Sequence, residues 1–72
     1  MIKSRMIRIT LNGTPRELDA PLAVAQLLAA EGLAGKRVAV ERNGAIVPKS
    51  QHSAVIVGAG DRIEIVVAVG GG

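Results

Sequence analysis

The stretch MIRITLNGTPRELD, Met6 to Asp19, decides how the chain begins to fold. Ile7, Ile9 and Leu11 alternate with Arg8 and Thr10, the period of two that marks a strand with one buried face. Asn12-Gly13 follows at once. This dipeptide tolerates positive φ at both central positions of a type I′ turn, so the chain is expected to turn straight back into a second strand around Pro15 to Asp19. The first element is a hairpin.

Beyond Pro21 the period changes. Val24, Leu27, Leu28 and Glu31 fall at i, i+3, i+4 and i+7, the spacing of a short helix with a stripe of Val24, Leu27 and Leu28, and Gly32 is placed to end it. Ala23 stands where a Ser, Thr or Asp cap is usual, an omission worth about 1 kcal/mol. Val38 to Arg42 reads as a third strand, with Val38 and Val40 inward, and stops at a second Asn-Gly pair, Asn43-Gly44. Ile46-Val47-Pro48 suits only an edge strand, because Pro48 cannot donate to a ladder. Lys49 to Ser53 is a polar loop, and Val55 to Val57 a brief apolar anchor. Gly58-Ala59-Gly60-Asp61 then turns into a last strand, Arg62 to Val69. Hairpin, helix, strand, short strand, final strand is the order of an α+β, ubiquitin-like β-grasp: a mixed four- to five-stranded sheet on one helix. Residues 6–69 form that domain, 1–5 an N-terminal extension, and 70–72 a tail; Met1 and Met6 both stand as possible starts.

Composition narrows the function. Seventy-two residues suffice for one small core, and with 49% hydrophobic residues but no Phe, Trp or Tyr that core is aliphatic. The absence of Cys removes disulfides and thiolate chemistry and fits a cytoplasmic setting. Every apolar run is too short for a membrane span. The net charge of +3, with Lys36-Arg37 adjacent, suits an acidic partner surface. Single-stranded nucleic acid is an unattractive ligand, since the chain offers no aromatic stacking platform.

The chemistry is expected at the other end of the chain, in Val69-Gly70-Gly71-Gly72. At an average glycine usage near 7%, three glycines in a row at three chosen positions arise by chance roughly 3 times in 10,000. Without side chains the backbone can lie in a slot too narrow for any Cβ. Three residues reach about 10 Å, enough to place a carboxylate inside a partner's active site. A free carboxylate is a poor acyl donor and needs activation by an ATP-dependent partner. The chain has no nucleophile–base pair with which to do this itself, so it reads as a carrier rather than an enzyme. The run Val66, Val67, Ala68, Val69 breaks the alternation of Ile63 and Ile65, leaving Val66, Val67 and Val69 as a candidate docking patch beside the tail. The alternative is a fully buried strand end.

The residues resemble the sulfur carriers of thiamine biosynthesis, the ThiS family. The resemblance runs from Met6 to Gly72, through Ile9-Thr10-Leu11-Asn12-Gly13, Val24-Ala25-Gln26-Leu27-Leu28, Val38 to Gly44, Ile46-Val47-Pro48-Lys49-Ser50-Gln51-His52, and Gly60 to Val66 with the glycine tail. It implies that an E1-like enzyme adenylates the Gly72 carboxylate with ATP, and that sulfur from a cysteine desulfurase relay replaces AMP. The thiocarboxylate on Gly72 then supplies thiazole synthase, with Gly71 and Gly70 recognised as part of the tail. No bound cofactor is implied. Gly70 as a third glycine, Ala23 at the helix start and Val67 in place of a polar residue depart from the family's usual pattern. Two alternatives stand: a small carrier subunit of the molybdopterin-synthase type, and a β-grasp binding module whose glycines are incidental.

Two further motifs carry no chemistry. His52 lies in a Ser/Gln loop with no separate segment supplying a triad, so a hydrogen-bonding role is expected; with Glu41, Asp61 and Glu64 it also falls short of a metal set. Gly58-Ala59-Gly60 is followed by a strand rather than the helix that a dinucleotide loop needs.

Overall fold

The computed structural model describes residues 6–68. The hairpin forms as β1 (Ile7–Leu11) and β2 (Thr14–Leu18), paired antiparallel with Leu11 opposite Thr14. Asn12 and Gly13 both take positive φ, 50° and 81°, as a type I′ turn demands. β2 is an edge strand, which is why Pro15 is tolerated there.

A two-residue strand, β3 (Leu22–Ala23), leads directly into α1 (Val24–Ala30). Val24, Leu27 and Leu28 are its buried residues, and Gly32 follows the helix at φ 75°. The missing side-chain cap is made good from elsewhere in the chain. The Val24 and Ala25 N–H groups donate to the Val55 and His52 carbonyls at 3.0 and 2.8 Å, and Gln26 Oε1 accepts the Ala23 N–H at 2.9 Å. Free helix N–H groups need partners of some kind, and here a distant loop supplies two of them.

The rest of the sheet is β4 (Val38–Arg42), β5 (Ala45–Val47) and β7 (Arg62–Val67), in the order β2-β1-β7-β4-β5. β7 runs parallel to β1 and antiparallel to β4, so the last strand lies at the centre. Pro48 closes β5, and Lys49–Gln51 forms a single 3₁₀ turn. β6 (Ile56–Val57) pairs antiparallel with β3 beside the main sheet. The sequence pattern marks only an apolar anchor at β6 and no strand at β3, since two-residue strands are too short to show a period.

One face of the sheet packs on α1. Ile9 and Leu11 of β1, Val40, Val47, Ile63 and Ile65 meet Val24, Leu27, Leu28 and Val57 in a single aliphatic core. Removing a Leu or Ile side chain of this kind from water contributes about 1.5–3 kcal/mol. The final strand ends at Val67 rather than Val69: Ala68 is no longer in the ladder, and Val69 lies outside the described residues. No helix among the described residues is long and apolar enough to cross a membrane.

Candidate functional site: the root of the glycine tail

The anticipated chemical group, on Gly72 with Gly71 and Gly70, lies outside the described residues, as does Val69. The structure describes what the tail grows from. β7 is held on both sides by the two Asn-Gly turns. Asn12 Oδ1 accepts the Ile65 N–H at 2.7 Å, and Asn12 Nδ2 donates to the Ile65 carbonyl at 3.2 Å. On the other side Asn43 Oδ1 accepts the Arg62 N–H at 2.8 Å, while the Asn43 N–H donates to the Arg62 carbonyl at 2.8 Å. The Asn12 side-chain amide behaves as one more peptide in the ladder, whereas Asn43 pairs with Arg62 through its side-chain oxygen and its own backbone N–H. Asparagine tolerates the positive φ of both turns, 50° and 53°, so one residue type serves turn and clamp together.

Asp61, buried at the start of β7, fixes the turn before it. Its carboxylate accepts from the Gly58 N–H at 2.8 Å, from Arg42 Nε at 2.8 Å and from Asn43 Nδ2 at 3.1 Å. Burial works against its charged form, but the Gly58 N–H, Arg42 and Asn43 outweigh it and hold the carboxyl below its ordinary range. The ion pair is structural, tying β4 to the entry of β7.

At the far end Val66 is 66% exposed and Val67 39%, and Ala68 is exposed too, its N–H donating to the Arg37 carbonyl at 2.9 Å. A fully buried strand end is thereby excluded. Val66 faces away from the helix, opposite Ala39 of β4, and the next row outward across the sheet is Ile46, Glu41 and Glu64. A shallow groove of about 410 Å³ runs over this open face, lined by Asn12, Ala39, Glu41, Glu64, Ile65 and Val66. Ile46 is 64% exposed. Ile46 joins this face because Val47 points inward and its neighbour in the strand must point outward. The Asn12, Asn43 and Asp61 clamps leave no periodic signal in the sequence, because their contacts span 18, 19 and 53 residues.

His52 is buried and donates from Nε2 to the Val47 carbonyl at 3.2 Å, a hydrogen bond that ties its loop to the end of β5. Among the described residues no group of three His, Cys, Asp or Glu could hold a metal ion.

One helix on one face of a mixed sheet, with the central last strand running out past an exposed root, defines the ubiquitin-like β-grasp class. A model of the ThiS family matches residues 9–72, and the chain belongs to that family. The crystal structure of a thiamine biosynthesis protein, ThiS, from Geobacter metallireducens is similar at a TM-score of 0.79 and 35% identity, covering 92% of this chain and 100% of that one. A thiazole synthase of Paramagnetospirillum magneticum is 44% identical over 66 residues, 92% of this chain. One from Magnetococcus marinus is 41% identical over 66 residues, also 92% of this chain. The chain spans only 20% of the length of either thiazole synthase.

Proposed function

We propose that this chain is a sulfur carrier for thiazole formation in thiamine biosynthesis, cytoplasmic and acting as a co-substrate rather than as an enzyme. The observation that carries the reading is the family match, which continues through Gly72 and so takes in the tail. A Gly72 carboxylate oxygen attacks the α-phosphorus of ATP on an E1-like enzyme, and pyrophosphate leaves. The terminal sulfur of a persulfide from a cysteine desulfurase relay then displaces AMP at the acyl carbon to give an acyl disulfide, and a second thiol attacks its S–S bond, forming a disulfide and releasing the thiocarboxylate. Gly70 and Gly71 supply a stem thin enough for the enzyme's slot. The β-grasp body stays outside and docks through Val66, Val67 and Val69. ATP is consumed by the partner and is not held here.

Thiazole synthase is the acceptor that the relatives favour. In two proteins of that name a segment similar to this chain is part of the same polypeptide, which supports an acceptor kept close to its donor. The ThiS match likewise favours this acceptor over a molybdopterin-type one. The test is the intact mass of the chain after incubation with ATP, the adenylating enzyme and a sulfur donor. Exchange of one oxygen for one sulfur is expected, followed by loss of that sulfur to thiazole synthase. An unchanged mass would refute the carrier reading, and transfer refused by thiazole synthase would refute the acceptor.

A further inference from the structure

Two features of the sequence have no part in the tail chemistry: the basic pair Lys36-Arg37 and the stretch Lys49-Ser50-Gln51-His52. Folding brings them together. Both line a half-open cleft of about 560 Å³ whose apolar wall includes Ala25 and Leu28 of α1. No carboxylate is among the lining residues. The ion pairs among the described residues are Arg8–Glu17, Arg16–Glu31 and Arg42–Asp61, which leaves Lys36, Arg37 and Lys49 with no acidic partner there. His52 adds a polar group nine-tenths buried at the same cleft. Its Nε2 donates to the Val47 carbonyl, which makes Nδ1 of the neutral ring an acceptor, so the attraction of the cleft for anions rests on its cations. Three like charges gathered over an apolar wall repel one another until an anion joins them.

The position of the cleft supplies the second half of the argument. Arg37 and Val38 form its wall and are also the residues that hold the end of β7, through Arg37 O to Ala68 N and the pairing of Val38 with Val67. From Ala68 the four residues to Gly72 span at most about 13–14 Å. A surface that grips the cleft therefore lies within one tail length of the reacting carboxylate.

We propose that this cleft docks acidic side chains of the adenylating enzyme, with Lys36, Arg37 and Lys49 as the contacting cations. The proposal rests on the carrier reading above and adds a charged contact on the helix side of the sheet to the apolar one at Val66. Rim charges of this sort act on encounter and on salt dependence. Lys36 and Lys49 are both exposed, so they can be changed without disturbing the core.

The experiment measures KM and kcat of the chain as substrate in the charging assay, at low and at high sodium chloride. The proteins are wild type, K36E/K49E, K36Q/K49Q and K49R. K36E/K49E is expected to raise KM about tenfold at low salt with an unchanged melting temperature, K36Q/K49Q to fall between, and K49R to stay near wild type. Salt should raise the wild-type KM, barely affect that of K36Q/K49Q, and lower that of K36E/K49E towards it. If wild type is charged but the KM of both double variants lies within twofold of it, the docking proposal is overturned and the carrier reading survives. If inorganic phosphate competes beyond chloride at equal ionic strength, the cleft takes free phosphate and the partner assignment is overturned. Failure to charge wild type removes both readings.

Discussion

Asn12 and Ile65, 53 positions apart, are joined as if they were neighbours in a ladder: the Asn12 side-chain amide accepts the Ile65 N–H at 2.7 Å and donates to its carbonyl at 3.2 Å. β1 pairs with β7 in register at Thr10–Arg62 and Leu11–Ile63, and the last backbone bond of that pairing is from the Asn12 N–H to the Ile63 carbonyl at 2.9 Å. The clamp therefore extends the contact of the hairpin with the central strand towards the root of the tail.

Replacing Asn12 with Gly keeps the positive φ but removes both bonds. We expect a loss of about 1–2 kcal/mol, read from urea denaturation, with amide exchange accelerated from Ile65 onward. An exchange pattern unchanged at Ile65 and Val66 would contradict the clamp.

Asp61 makes stability depend on acid. Its carboxyl titrates below the unfolded value near 3.8, so its contribution is complete above that value and is lost as the pH falls through the lower folded one. Wild type should weaken as the pH drops below about 4. Asp61→Asn removes the charge that Arg42 and the Gly58 N–H bind, which costs about 1–3 kcal/mol at neutral pH and flattens this part of the acid profile. Thermal melts from pH 3 to pH 7 make the comparison, and parallel profiles for the two proteins would speak against the assignment.

Val66 and Val67 separate docking from folding. With Val66 66% exposed, Val66→Glu should change stability by no more than about 0.5 kcal/mol while charging is lost. Val67 is less exposed at 39%, and its glutamate variant should lose some stability as well. Melting curves run beside the mass assay distinguish the outcomes, and unfolding of both variants would sink the docking role.

Removing Gly71 and Gly72 isolates the tail. The shortened chain should melt at the wild-type temperature, because the core lies within residues 9–65, and should accept no sulfur at all. Sulfur gain by the shortened protein would exclude Gly72 as the carrying residue.

Much of this protein is local and therefore legible from its residues. Alternation of Ile7, Ile9 and Leu11, the two Asn-Gly turns, and the spacing of Val24, Leu27 and Leu28 each follow from the period of an element or the φ of a turn. The glycine tail is a property of composition, and the family likeness is visible in the order of the segments. What folding alone decided depends on which distant groups meet. Ala23 looked like a missing cap until the His52 and Val55 carbonyls were found against the helix N–H groups. Asp61 looked like an ordinary turn residue until Arg42 and Asn43 reached it. Val66 could have been buried or open, and its exposure was settled by β7 presenting one face to α1 and the other, which carries Val66, to solvent, while Val67, on the face of Ile63 and Ile65, is the less exposed of the two. Hydrogen-bond partners and burial are set by three-dimensional neighbours, and a one-dimensional pattern names the faces of an element without naming what covers them.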